Sequence, residues 1–271
     1  MPVSAGAVRK LLRDIASAGS GEHVLAVGGA RELASLLRQQ FLRGRAEPEA
    51  VRVGGPDGAD VYVHVLSGEL GDDDVAVLRR AWRARVPVVA VAVGFAGDAT
   101  TVPYVLATDV VQVDAGHAFP LEAIARAIAA RLGEHGAPLA ARVPLLREPV
   151  GEQLVASFAR KNGIVAAAVW IPGADLPVLA VNELRLVLRL AQAHGAAEDV
   201  RDRLPELAAT LAAAFGLRAF AREALGVVPR AGWAVKAGVA YAGTRALGEA
   251  ARLRFELAPT QRPAGAARAA P

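Results

Sequence analysis

The chain has 271 residues, of which 54% are hydrophobic, and its formal net charge is only +4. This composition predicts a large buried core, and the absence of cysteine excludes a disulfide framework, a thiolate nucleophile and a cysteine-type zinc site. Nearly all basic residues are arginines, and they are scattered rather than interleaved with aromatic residues, so we do not expect nucleic-acid binding.

Residues 1–21 predict an amphipathic helix rather than an export signal. Val8, Leu11, Leu12 and Ile15 fall on one helical face. Charged residues interrupt the segment, which therefore lacks the continuous apolar run of a signal peptide. We expect the protein to be cytoplasmic.

Five strand-like runs in residues 22–135 alternate with helical stretches. They occupy residues 24–27, 51–53, 61–66, 87–93 and 110–113. The runs VYVHVL and PVVAVAV are apolar almost throughout, which is typical of parallel strands buried on both faces. The pattern predicts an α/β domain with a mostly parallel sheet and helices on both faces.

A glycine pair, Gly28 and Gly29, follows the first strand in the stretch VLAVGGARELASLLRQQF, residues 24–41. A phosphate-binding loop at this place would need a lysine and a hydroxyl for magnesium. No lysine lies nearby, Ser35 falls a full turn into the predicted helix, and the planar guanidinium of Arg31 does not fit the geometry of such a loop. We predict a plain strand-to-helix turn with no bound cofactor.

Two further features of residues 22–135 suggest chemistry but have a structural interpretation. Asp72, Asp73 and Asp74 begin the helix after the third strand, where carboxylates cap amide groups and complement the helix dipole. His64 lies inside an apolar strand, as a core histidine with satisfied hydrogen bonds would. The histidines have no metal-ligand spacing and no nucleophile motif occurs, so we predict neither catalytic residues nor a metal site.

The strand pattern ends before residue 151. Residues 136–150 contain three prolines and predict an interdomain linker. Residues 151–257 predict a helical domain, with helices near 152–170, 176–194, 202–214, 217–225 and 233–255. Residues 258–271 are low in complexity and predict a disordered tail.

The order of elements in residues 22–135 resembles that of an Era-like or dynamin-like GTPase domain. The segments that carry the resemblance are residues 24–41, 58–98 and 110–132. Where that family has the guanine-reading Asn-Lys-x-Asp, this chain has Phe95-Ala96-Gly97-Asp98 and keeps only the aspartate, and the Asp-x-x-Gly switch motif has no counterpart. The resemblance implies a degenerate P-loop-GTPase-like domain in which Gly28, Gly29 and Asp98 are vestigial.

Residues 171–195 (IPGADLPVLAVNELRLVLRLAQAHG) and 228–256 (VPRAGWAVKAGVAYAGTRALGEAARLRFE) look like the two signature segments of the YcjF-type domain of unknown function. That domain accompanies GTPase-like domains in bacteria. The matching positions are Pro172, Asp175, Leu179, Gly195, Pro229, Gly232, Lys236, Thr244 and Gly248. Asn182 stands where glutamine is usual.

Small residues recur about every four positions in the second of these segments. They are Gly232, Ala234, Gly238, Ala242, Gly243 and Ala246. Such a row predicts a smooth helix face on which another helix packs closely.

Residues 163–182 carry a single charge, Asp175, over a length close to that of a membrane span. Pro172, Gly173 and Pro177 break the segment into two pieces that are each too short to span a bilayer as a straight helix. A hairpin that enters one leaflet and a helical domain that binds a protein partner both stay open.

These observations predict a non-catalytic, GTPase-derived protein whose helical domain associates with a protein partner or a membrane, with homo-oligomerisation left open. The alternative is a small-ligand or nucleotide-binding α/β protein, with or without enzymatic activity. Open α/β sheets bind ligands in the crevice at the carboxyl ends of their strands, here near Gly28, Gly29, Ser67 and Asp98.

Overall fold

A computed structural model describes residues 21–95, 101–168, 176–196 and 232–257. Its strands are β1 (Leu25–Gly29), β2 (Val51–Val53), β3 (Val61–Ser67), β4 (Val88–Val93) and β5 (Val110–Val113). They form one sheet in the order β2-β1-β3-β4-β5, and every neighbouring pair is parallel. The five predicted strands and the α/β fold class are confirmed.

Seven α-helices lie in the described ranges: α1 (Arg31–Arg43), α2 (Asp72–Arg83), α3 (Leu121–Leu132), α4 (Ala137–Arg142), α5 (Arg147–Ala168), α6 (Leu176–Ala193) and α7 (Gly232–Leu257). Short 3-10 turns precede β2, β5, α4 and α5. The predicted helices at 202–214 and 217–225 lie outside the described residues, as do the amphipathic segment at the start of the chain and the tail 258–271.

Side chains of the sheet alternate between two helical layers. Leu25 and Val27 of β1 belong to the same buried cluster as Leu37 of α1, and α3 contributes to that cluster as well. Ala26, between them, faces the opposite cluster, which contains Leu78 of α2. Helices therefore cover both faces of the sheet, as the apolar strands predicted.

The prediction that residues 136–150 form a linker is wrong. They form α4, a 3-10 turn and the start of α5, and Leu139 and Leu146 are fully buried. Pro138 and Pro144 each stand in the first turn of a helical segment, where a missing backbone N–H costs nothing. One continuous core therefore runs from the sheet into α5 and α6.

The described helical half consists of α5, α6 and α7, which pack against one another. Helix α5 begins five residues before its predicted start because residues of the supposed linker belong to it. Across the parts of the chain that the structure describes, no helix combines the length and the apolarity needed to cross a bilayer.

Candidate functional site

A crevice lies at the carboxyl ends of β1 and β2, between α1 and α2. In the strand order β2-β1-β3 the chain turns to opposite sides of β1, and open α/β sheets form their ligand crevices at such a switch point. The crevice has a volume of about 260 Å³. Its lining residues are Gly28, Gly29, Arg31, Ala34, Val53, Gly54, Gly55, Tyr62, Val77 and Arg80.

The glycine pair at the end of β1 is required by contacts within the chain. A Cβ at Gly28 would overlap the Tyr62 hydroxyl and would lie 2.5 Å from the Gly54 carbonyl oxygen. Gly29 has φ +92°, and a Cβ there would overlap the backbone of Val65. Both glycines are therefore explained by packing and backbone conformation.

The turn from β1 to α1 is as short as predicted, because Ala30 alone separates strand and helix. The Ala30 amide donates to the Val65 carbonyl at 2.8 Å, and the Gly54 amide donates to the Val27 carbonyl at 2.9 Å. The Ser35 hydroxyl donates to the Arg31 carbonyl within α1 at 2.9 Å. The Ala30 amide and the Ser35 hydroxyl are thus bonded to the chain itself, and the connection is a plain strand-to-helix turn of one residue.

A buried hydrogen-bonded network borders the crevice on the α2 side. The Tyr62 hydroxyl lies 2.9 Å from Nδ1 of His64, and Nε2 of His64 lies 2.9 Å from Oδ1 of Asp74. The second carboxylate oxygen of Asp74 accepts from the Gly71 amide at 3.0 Å, so Asp74 also caps α2. The capping interpretation is confirmed for Asp74, and His64 is the satisfied core histidine that was predicted.

The partners of His64 fix its protons. A carboxylate can only accept, so Nε2 of His64 carries the hydrogen that is donated to Asp74, and Nδ1 accepts from the Tyr62 hydroxyl. Burial lowers the pKa of His64, although the hydrogen bond to Asp74 acts in the opposite direction. Burial, reinforced by the charge of Asp74, raises the pKa of Tyr62 above its usual range. The phenol stays protonated, so towards a ligand its oxygen can only accept.

Arginine side chains provide the positive charge at this crevice. Arg80 of α2 lies 3.5 Å from Asp57 on the loop after β2, and both side chains are more than half exposed. Arg52 also donates to the carbonyl oxygen of Asp57 and holds the same loop. Arg31 is exposed at the first position of α1. The crevice can therefore offer guanidinium groups to a small anion.

A second buried polar cluster connects the three helices of the helical half. Asn182 of α6 donates to Oδ1 of Asn162 on α5 at 2.8 Å, and Asn162 donates to the Thr244 hydroxyl on α7 at 2.9 Å. Thr244 donates to Oε1 of Glu183 at 3.0 Å. Three of the four side chains, those of Asn162, Glu183 and Thr244, are fully buried. The cluster fixes the register of the helices because each of its hydrogen bonds requires one alignment.

Several of the positions that carry the YcjF-type resemblance have a packing role. Gly248 of α7 faces α5 and α6, and a Cβ there would lie 2.7 Å from Cγ2 of Val155. Gly195 follows α6 with φ +75°, and the next amide reaches back to the Ala191 carbonyl, which is a glycine C-cap. Leu179 is buried between the helices.

The other positions of that resemblance are only partly described. Gly232 begins α7, and Lys236 on the same helix is half-buried. Pro172, Asp175 and Pro229 lie outside the described residues.

The predicted small-residue face of α7 is not the one that packs against α5 and α6. Ala234, Gly238, Ala242 and Ala246 are exposed. A neighbouring row, which contains Ala240, Thr244 and Gly248, is buried. Both rows consist largely of small residues four positions apart, so spacing alone could not distinguish them.

The strand-end residues of the alternative prediction are only partly brought together. Gly28 and Gly29 line the crevice, Ser67 is exposed at the end of β3, and Asp98 lies outside the described residues. Sequence reasoning missed Tyr62, although its position two residues before His64 on one strand face was a usable signal. Among the described residues, no group of three potential metal ligands occurs.

Compared with known proteins, the chain matches no family model, no curated protein and no solved structure.

Proposed function

We propose that the protein is a non-catalytic relative of GTPases, with a degenerate α/β domain and a YcjF-like helical domain that associates with a protein partner or a membrane surface. The observation that carries the proposal is the packing of Gly28. A Cβ at this position would overlap the Tyr62 hydroxyl and lie 2.5 Å from the Gly54 carbonyl oxygen, so contacts within the chain account for this glycine without a bound nucleotide. The hydrogen bond that the Ala30 amide donates to the Val65 carbonyl supports the same conclusion.

The helical half supplies the surface for association. Large apolar side chains are exposed on all three of its described helices: Ile164, Val178, Tyr241, Leu253 and Leu257. We propose that these side chains contribute to the association surface. The shared core with the sheet makes the α/β half a rigid support for these helices.

Calorimetric titration of the full chain with GTP and GDP, in the presence of magnesium, tests the loss of nucleotide chemistry. We expect no binding, because no lysine stands near the end of β1 and the single residue between strand and helix is too short to curl round a phosphate. Micromolar affinity for either nucleotide would contradict the proposal.

A photo-crosslinking amino acid at Ile164 tests the association surface in cells. Leu36, an exposed leucine of α1 in the α/β half, is the matched control position. We expect discrete protein or lipid adducts from position 164 and none from position 36. Pelleting of the purified protein with anionic liposomes then separates the two kinds of partner, and an alkaline carbonate wash distinguishes surface binding from insertion. Equal labelling from both positions would count against a dedicated helical surface.

The crevice supports a second candidate function, the binding of a small anion. Its volume of about 260 Å³ is smaller than typical drug-sized pockets, and its charged lining residues are Arg31 and Arg80. A small carboxylate or phosphate would pair with these guanidinium groups, and a hydrogen phosphate would also donate its P–OH hydrogen to the Tyr62 oxygen.

Titration with inorganic phosphate and with succinate tests this second candidate. Binding that is weakened by Arg80→Gln and unchanged by Arg126→Gln, an exposed arginine on α3, would support it. Equal affinity of both variants for these anions would exclude the crevice as the site.

A further inference from the structure

The strongest unexplained surface lies on the outer face of α2. Trp82 is 61% exposed and Tyr104 is 43% exposed, and their ring centroids are 5.8 Å apart at an interplanar angle of 40°. A folded chain rarely leaves a tryptophan this open, because burial of its ring is strongly favourable. We call this pair, together with Arg79 and Arg83, the arginine–aromatic patch.

The backbone holds Tyr104 in an unusual conformation. Its φ is +65°, in the left-handed region that residues other than glycine seldom adopt. Val102, two residues earlier, is buried in the same cluster as Leu78 of α2, so the segment is anchored beside the helix. Arg79 donates through Nε to the Tyr104 hydroxyl at 3.3 Å. The ring is therefore presented to solvent by an anchored, strained segment, as is common at binding sites.

The patch is cationic. Arg79, Trp82 and Arg83 are spaced at i, i+3 and i+4, which places them on one face of α2. The carboxylates of that helix lie in its first turn, at Asp72–Asp74, away from the patch. Within the described part of the chain, Arg83 has no ion pair. The neighbouring Arg80 differs, since it faces the crevice and pairs with Asp57.

We propose that the arginine–aromatic patch binds an acidic segment of a partner protein. Tryptophan, tyrosine and arginine are the residue types that dominate the binding energy of protein interfaces. Positive charge that has no carboxylate partner among the described residues selects a negatively charged partner and accelerates its association. The site lies on the α/β half, so it goes beyond the association proposed for the helical half and can be tested independently.

A single-stranded nucleic acid fits the patch less well. Binding of such strands uses a cationic groove with several aromatic side chains on which successive bases stack. Here the two rings are packed against each other, and no lysine lies in the surrounding sequence. Acidic protein segments therefore satisfy the geometry and the charge better.

The test measures fluorescence anisotropy of a labelled peptide in which glutamate alternates with leucine, titrated with the full chain. A peptide with lysine in place of glutamate and an oligo(dT) strand are the comparison probes. Arg83→Glu is matched by Arg43→Glu, since both arginines are exposed in the last turn of a helix. Trp82→Ala removes the indole ring. Because this side chain is 61% exposed, we expect the variant to fold like the wild type.

We expect the acidic peptide to bind, and Trp82→Ala and Arg83→Glu each to weaken binding by about tenfold or more, the loss typical of a central interface residue. Arg43→Glu should stay within about twofold of the wild type, as expected for a charge outside the contact. Three results would overturn the proposal: no binding of the acidic peptide, equal loss in Arg43→Glu, or binding of oligo(dT) or the lysine peptide in its place.

Discussion

The hydroxyl of Tyr62 donates to Nδ1 of His64 at 2.9 Å, two residues further along the same face of β3. Because His64 is 1% exposed, removal of the phenol hydroxyl leaves its buried Nδ1 without a protein donor. Tyr62→Phe should therefore lower the free energy of unfolding by about 1–3 kcal/mol, the cost of leaving a buried acceptor without its donor. Urea unfolding measures the change.

Tyr104→Phe is the control for that substitution. Its hydroxyl accepts from Arg79 on the surface, where water can replace the bond. We expect a change within about 0.5 kcal/mol for this exposed site. Equal losses in the two variants would show that the link to His64 contributes no special stability.

The stability of the protein should fall as the solution becomes acidic, in part through His64. Burial lowers the pKa of His64 in the folded chain, so below about pH 6.5 the unfolded chain binds a proton that the folded chain does not. Stability is then complete at neutral pH and is lost as the pH falls below that value. His194 has its pKa lowered by burial as well and contributes in the same direction.

Thermal unfolding of His64→Gln, followed from about pH 7.5 to about pH 5, tests this linkage. The loss of stability towards acid should be smaller than in the wild type, with the remainder due in part to His194. If the thermal stability of His64→Gln depends on pH as strongly as that of the wild type, groups other than His64 cause the loss of stability in acid.

The sheet could be predicted from the sequence because its three central strands, β1, β3 and β4, are buried on both faces and almost wholly apolar. The helical half could be predicted less completely, and the error at Pro138 and Pro144 shows why. A proline inside a helix breaks it, whereas a proline in the first turn is compatible with the helix. Composition alone does not distinguish these two positions. Both prolines begin helical segments here.

The glycines of the crevice illustrate a second limit. Gly28 and Gly29 stand in the sequence where a phosphate-binding loop would have its glycines, and only the structure shows that Gly28 approaches Tyr62 and that Gly29 approaches the backbone of Val65. The contact between Gly28 and Tyr62 joins β1 to β3, and the sequence separation between these residues hides it. The turn could be predicted from the sequence, but the contact of its glycine with Tyr62 could not.

The polar cluster of the helical half should depend on the hydroxyl of Thr244. Thr244→Val keeps the shape but removes the acceptor of Asn162 and the donor to Glu183, so unfolding free energy should fall by about 2–3 kcal/mol. Thr244→Ser keeps the hydroxyl and should lose about 1 kcal/mol, for the missing methyl group alone. Chemical denaturation compares the two variants, and equal losses would assign the effect to packing.

Two glycines of α7 should respond to alanine with opposite signs. A Cβ at Gly248 would lie 2.7 Å from Val155 and 3.1 Å from Leu186, so Gly248→Ala should destabilise by about 1–3 kcal/mol through overpacking. Nothing lies within 4 Å of a Cβ at Gly238, and Gly238→Ala should stabilise by up to about 1 kcal/mol through helix propensity. Unfolding midpoints measured on both variants check the signs, and a loss from Gly238→Ala would indicate that its face is packed.

Replacement of Leu146 should lower the stability of both halves of the molecule. Leu146 lies within residues 136–150, which were predicted to be a linker, and it is fully buried in the core that the two halves share. Leu146→Ala should cost about 2–5 kcal/mol, as deletion of a buried leucine usually does. Amide hydrogen exchange should then show equal loss of protection in β3 and in α6, since one core unfolds as one cooperative unit. Leu106→Ala, at a leucine that is 60% exposed, should change neither. Loss of protection confined to α6 would mean that the helical half unfolds separately, as two domains joined by a linker would.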